Sequence, residues 1–230
     1  MSKIRPLKNH IAVIIKVKSG KTKSKAFLII FYIVGITGII VPATRTLFIK
    51  LIPAALILNV AILAVFHRGR PEKAMLIAFP VIFLLSFVIE VIGAETGVIF
   101  GNYRYGEGLG LKVYNTPLII GINWLMLVYM TASITRKYNI RVFPGIIIAS
   151  LMMVIYDIVL EQVAPKMDMW YWEDNIVPLQ NYAAWFILAM GFHSMFNLLK
   201  VNTKNSLAEA VFFYQFCFFL CLFIFFKIIK

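Results

Sequence analysis

The sequence predicts an all-α polytopic transmembrane bundle of about seven helices, and three observations carry that prediction. Of the 230 residues, 61% are hydrophobic and only 14% charged, whereas a soluble domain carries roughly 25% charged residues and about half apolar ones. Seven apolar runs each approach the roughly 20 residues that a span requires. Basic residues collect in alternate connections between those runs. A soluble enzyme, a disordered chain and a nucleic-acid binder are excluded by this composition. The net charge of +13 is explained by membrane topology instead. The extended polar stretch is residues 1–25, so one span joined to a soluble domain does not fit either.

The runs fall near 26–43, 47–66, 74–97, 117–135, 142–163, 181–199 and 208–229. With the N-terminus in the cytoplasm, the tail places Lys3, Arg5, Lys8, Lys16, Lys18, Lys21, Lys23 and Lys25 inside. Arg68, Arg70 and Lys73 follow in the second connection, Arg136, Lys137 and Arg141 in the fourth, and Lys200 and Lys204 in the sixth. Sixteen of the 23 basic residues then lie on one side, which orients the chain in a cell membrane with its C-terminus out. The domain reading is a basic cytoplasmic tail, 1–25, and a single transmembrane domain, 26–230. The tail is too long for a signal peptide and no small-residue cleavage site follows it, so the first span is read as uncleaved. Cys217 and Cys221, four apart in the last run, read as core filling rather than a disulfide or metal pair.

Acidic residues mark where chemistry is expected. Of ten, only Glu72 and Glu209 fall on the cytoplasmic side. Glu90, Glu95, Asp157 and Glu161 are placed at or near membrane depth, where an ionisable group costs on the order of 2.5–3.5 kcal/mol and is a functional candidate by default. The structural alternative is a helix-end carboxylate paired with Arg104 or Lys166. Asp157 and Glu161 are i and i+4 and share a face, as do Asn181 and Trp185, and His193 and Asn197. Glu90 and Glu95, five apart, diverge by about 140° on a helix. Gly93, Gly97 and Gly101 recur every fourth residue and read as a small face for close approach. His193, alone in an apolar run, reads as a hydrogen-bonded core residue.

The third to sixth spans read as a parallel repeat of two helical hairpins, with its axis along the membrane normal. The first hairpin runs from Glu90 through Tyr103-Arg104-Tyr105 to Pro117-Leu118 and Trp124. The second runs from Asp157 through Trp170-Tyr171-Trp172 to Pro178-Leu179 and Trp185. Proline-leucine precedes tryptophan by the same distance in both. The repeat brings both acid clusters and both aromatic loops to one face, although Trp170, Tyr171 and Trp172 also fit an interfacial aromatic belt.

The stretch Glu90-Val-Ile-Gly-Ala-Glu-Thr-Gly-Val-Ile-Phe-Gly-Asn-Tyr-Arg-Tyr105, with Pro117 and Trp124, resembles the membrane-bound carotenoid biosynthesis protein family. So does the second stretch, with Asp157, Glu161, Trp170-Tyr-Trp172, Pro178, Asn181 and Trp185. The resemblance covers roughly residues 80–190 and departs at Glu161-Gln162, where the family pattern has aspartate-proline. That family includes hydratases of the carotenoid 1',2'-hydratase and bisanhydrobacterioruberin hydratase type. The resemblance implies a carotenoid lipid substrate and hydration of its terminal double bond, with no metal or organic cofactor.

The residues offer a chemistry that fits. Adding water to a trisubstituted alkene takes a proton delivered to carbon, then capture of a tertiary cation by water. A carboxylic acid removed from water can hold the proton, and a second carboxylate can act as base. Asp157 and Glu90 are the first choices for that pair, in either order, with Glu161 and Glu95 as further candidates. Trp124, Trp172 and Trp185 can stabilise the cation through their faces, and Tyr103, Tyr105, Trp170 and Asn181 complete the substrate-binding set. Two other classes also fit: a proton-coupled small-solute transporter, and another membrane carotenoid enzyme such as a lycopene cyclase. A cyclase must exclude water where a hydratase must admit it. Oligomeric state is not legible.

Overall fold

The computed structural model describes the backbone of residues 4–70 and 72–229 and the side chains of residues 20–70 and 72–228. Lys3 of the basic tail lies outside the described residues, and the tail up to Lys18 is described by its backbone alone. The described chain forms α1 (Ile4–Ile40), α2 (Pro42–Lys50), α3 (Ile52–Val65), α4 (Lys73–Thr96), α5 (Ile119–Lys137), α6 (Val142–Glu161), α7 (Leu179–Leu198) and α8 (Ala208–Ile224). Four short strands lie between them: β1 (Tyr103–Tyr105), β2 (Lys112–Val113), β3 (Thr116–Pro117) and β4 (Trp170–Trp172). The fold is an all-α polytopic bundle.

The described chain has eight helices where about seven were expected, because one expected helix is broken in two. The run at 47–66 is two helices, α2 and α3, bent by 55°. Pro53 sits in the first turn of α3, where its missing N–H costs nothing; inside one continuous helix it would remove a bond and clash with the preceding turn. Within α1 the segment Gly20–Ile40, then α4, α5, α6 and Ala208–Ile228 are each long and apolar enough to cross a bilayer, and the bent α2–α3 pair is long and apolar enough for a sixth if its two helices count as one span. Helix α7, expected as a span, has 20 residues and so a length of about 30 Å. With Gln180, Asn181, His193 and Asn197 along it, it falls outside that apolar set.

At the centre stands α5, which packs against α3, α4, α6, α7 and α8. It is the least hydropathic of the five clear crossings and the most buried. Trp124, Leu127, Val128 and Met130 on it are sealed from the surface. The ends of the bundle differ. At one, Lys137 pairs with Glu209, Tyr138 donates to the same carboxylate at 2.6 Å, and the Arg136 guanidinium donates to the Val201 carbonyl. At the other, the connections 97–118 and 162–178 fold over the helix ends. The cysteine reading is corrected here: Cys217 and Cys221 are both exposed, because α8 turns Val211, Gln215, Phe219 and Leu222 inward instead.

The two hairpins, α4–α5 and α6–α7, meet through their loops. Strand β1 pairs antiparallel with β4, matching Tyr103 to Trp172, Arg104 to Tyr171 and Tyr105 to Trp170. An antiparallel pair carries a local two-fold axis, here at the Arg104–Tyr171 step. Asp157, Trp170 and Trp172 follow Glu90, Tyr103 and Tyr105 by 67 residues each, and Pro178 and Trp185 follow Pro117 and Trp124 by 61. The six extra residues of the first hairpin lie in the segment that forms the β2–β3 pair. Trp124 and Trp185 stack at 4.2 Å between ring centroids. This pairing sets a topology test. Single cysteines at Leu111 and Ile176, both exposed, in a background lacking Cys217 and Cys221, are expected to react equally with an impermeant thiol reagent from the same side. Labelling of only one before the membrane is opened contradicts the arrangement.

Candidate active site

Beneath the β1–β4 pair lies a small cavity of about 20 Å³, lined by Glu90, Asp157, Glu161, Asn181 and a ring of aromatic residues. That volume holds about one water molecule. The three carboxyls are 4%, 0% and 5% exposed, and each is held in a different way.

Glu90, from the last turns of α4, accepts three hydrogen bonds. Tyr103 and Tyr105 donate to Oε2 at 2.7 and 2.6 Å, and Trp124 Nε1 donates to Oε1 at 2.8 Å. Burial first, and then the neighbouring Glu90 carboxyl, hold both tyrosine hydroxyls well above their usual range, so both remain protonated donors. Glu161, at the end of α6, accepts from Trp170 Nε1 at 2.9 Å and Trp172 Nε1 at 2.7 Å, both on Oε2. An indole N–H can only donate, so each of these two carboxyls is built as an acceptor. Asp157, one turn earlier on α6, differs. Its Oδ2 accepts from Asn181 Nδ2 at 2.8 Å, while Oδ1 is buried with no partner. The same Asn181 amide reaches Glu161 Oε1 at 3.4 Å, so it bridges the two acids across α6 and α7.

Local backbone geometry explains why the loops reach these carboxyls. Gly97 ends α4 in the left-handed conformation at φ +67°, a common helix stop. Gly101, at φ +105°, continues the turn that sends Tyr103 and Tyr105 back over Glu90. The glycine spacing therefore does not form one helical face: only Gly93 is on α4, where the Phe100 ring covers it. Asp168 ties the second loop to the first, accepting from Tyr171 Oη at 2.8 Å and from the Glu107 N–H at 3.2 Å. The Arg104 guanidinium sits 4.9 Å over the Tyr171 ring.

Most of the sequence-predicted set converges here: Glu90, Asp157, Glu161, Tyr103, Tyr105, Trp170, Trp172, Asn181 and Trp185 line the cavity. Trp124 acts from behind, bonding Glu90 and stacking on Trp185. Glu95 does not join them; it is exposed and accepts from Asn115 Nδ2 at 3.0 Å. The ion pairs among the described side chains are Lys112–Glu107 and Lys137–Glu209, so neither Arg104 nor Lys166 pairs with a cavity carboxyl. His193 lies apart, buried, with Nε2 3.2 Å from Thr131 Oγ1. Sequence reasoning missed Phe100 and Ile120, apolar lining residues with no signal to separate them from neighbouring aliphatics.

A family described as carotenoid biosynthesis protein matches residues 27–230. A bisanhydrobacterioruberin hydratase from Haloarcula japonica is 29% identical over 117 residues, which cover 45% of this chain and 38% of that relative. This chain thus spans well under half the length of the relative it matches. No solved structure matches the chain. With a match running from the first described span to the last residue, the chain belongs to the carotenoid biosynthesis protein family.

Proposed function

We propose that this protein is a cofactor-independent carotenoid hydratase that adds water across the terminal (1',2') double bond of an acyclic end group. It acts as a multi-pass protein of the cell membrane, with its N-terminus in the cytoplasm and the carboxyl cavity near the opposite face. The unpartnered Oδ1 of Asp157, a residue that lines a water-sized cavity beside two carboxyls built as acceptors, is the observation that carries the reading. Three carboxyls in one chamber without a basic partner do not all ionise together. Asp157 is the one with an oxygen free to hold a hydrogen toward a ligand.

Asp157 delivers that proton to the less substituted carbon of the terminal alkene, and the electron pair of the double bond forms the new C–H bond. The tertiary cation left behind faces Trp185, Trp172 and Tyr105, each aromatic face contributing about 0.5–2 kcal/mol. Water attacks the cation, and its surplus proton passes to Glu161 as general base. Glu161 returns that proton to Asp157, one turn away and linked to it through Asn181. The alkene has then gained one water and the carboxyls are restored. Glu90, fixed by its three donors, supplies negative charge opposite the cation. Family membership and the named activity of the Haloarcula relative support this chemistry.

Expression in a lycopene-producing host, with pigments analysed by mass, tests the reading. The expected product gains one water for each modified end. A product of unchanged mass points to cyclisation, and no product at all removes the hydratase assignment.

A further inference from the structure

The carboxyl cavity is small but not sealed, and it adjoins two spaces of opposite character. Above it lies an open basin of about 360 Å³, lined by Asn102, Tyr103, Arg104, Tyr171, Trp172 and Glu173. Tyr103 and Trp172 line both basin and cavity and touch each other at 5.0 Å between ring centroids. To the side, a pocket of about 30 Å³ shares Ile120 and Trp170 with the cavity. That pocket shares Ile52, Leu56, Met169, Gln215 and Phe219 with an apolar groove of about 260 Å³ between α1, α2–α3 and α8. Exposed Val34 and Leu51 stand at the groove's rim.

We infer that the site is served by two separate entrances: a polyene reaches it from the bilayer through the α1–α3–α8 groove, and water reaches it from the basin above. The argument rests on continuity and chemistry. The groove is almost wholly aliphatic and aromatic and leads, through shared walls, to Trp170, whose indole N–H holds Glu161. The basin is polar and leads, through other shared walls, to Tyr103 and Trp172, which hold Glu90 and Glu161. The β1–β4 pair is therefore the partition between a lipid-side and a water-side entrance. Displacing Trp170 to pass a chain end removes a donor from Glu161 and frees the carboxylate at the moment substrate arrives. The water side of this inference rests on the hydratase reading; the lipid side stands on binding alone.

The two sides are tested separately. Ala54 lines the groove and is exposed, so Ala54→Trp places an indole in its mouth without overfilling the core. Binding is read as the circular dichroism induced in lycopene by detergent-solubilised full-length protein, with no turnover required. Ala54→Trp is expected to weaken it about tenfold or more by steric exclusion, while Leu76→Trp, on the exposed face of α4, leaves it unchanged. Equal binding in both variants overturns the lipid-side entrance, whether or not the protein hydrates. For the water side, Arg104→Cys in the background lacking Cys217 and Cys221 is coupled to a bulky impermeant thiol reagent. The expected result is slowed hydration with unchanged lycopene binding. Unchanged hydration on complete labelling overturns the water-side entrance.

Discussion

Asp157→Asn is expected to abolish hydration while the protein inserts and accumulates at the normal level. Asparagine keeps an oxygen to accept from Asn181, so the α6–α7 contact at 2.8 Å survives the change. It can neither deliver an acidic proton nor take one back. Loss of a general acid typically costs about 10²–10⁴-fold in rate, and protonation of an unactivated alkene places this variant at the upper end. Hydration per folded molecule, measured beside Glu107→Gln at an exposed loop position, decides the matter. Turnover within a few fold of the unaltered protein takes Asp157 out of the chemistry and leaves it a purely structural acid.

Glu161 separates chemistry from architecture more sharply still. In Glu161→Gln the amide oxygen can accept from both indoles, and the new NH₂ can face Asn181, whose own amide can reverse. The loop stays in place, and hydration is expected to fall by about 10²-fold or more through loss of the base. In Glu161→Leu the Trp170 and Trp172 N–H groups lose their acceptor while buried, at about 1–3 kcal/mol each. That variant is expected to lower the thermal midpoint as well as the activity. A glutamine variant that is as unstable as the leucine variant contradicts the acceptor role given to this side chain. A glutamine variant that turns over normally moves the base to Glu90.

The sequence was most informative where chemistry and spacing reinforce each other. Paired Pro-Leu and Trp positions in both hairpins single out the two tryptophans, Trp124 and Trp185, that the fold stacks, and the i, i+4 acids of α6 do face one cavity. Part of what escaped notice has one physical cause: in a bilayer the exterior of a helix is as apolar as its interior. Hydropathy therefore could not tell that Cys217 and Cys221 face outward on α8. Helix ends caused the remaining misreadings. The chain leaves α4 at Gly97, so Glu95 turns to Asn115 at the surface, and Gly101 belongs to a loop rather than a helical stripe. The β1–β4 pair is three residues long on each side, too short for alternation to be visible. Its partners are joined by the fold across a sequence distance that no local pattern reports.

The internal two-fold has a consequence for how such a site can work. A chamber assembled from two identical hairpins would present two equivalent carboxyls, at the positions now held by Glu90 and Asp157. Equivalent groups in equivalent surroundings share one affinity for a proton, so neither is distinguished as donor or as acceptor. Here the halves have diverged. The residue 67 places before Glu161 is Ala94, so one hairpin bears a second acid where the other bears a methyl group. Glu90 is bonded by two tyrosines and a tryptophan; its counterpart Asp157 by a single asparagine. Duplication within one chain, unlike dimerisation of a shorter one, lets the two copies mutate independently. In this chamber the two carboxyl positions are already unequal before any substrate is bound.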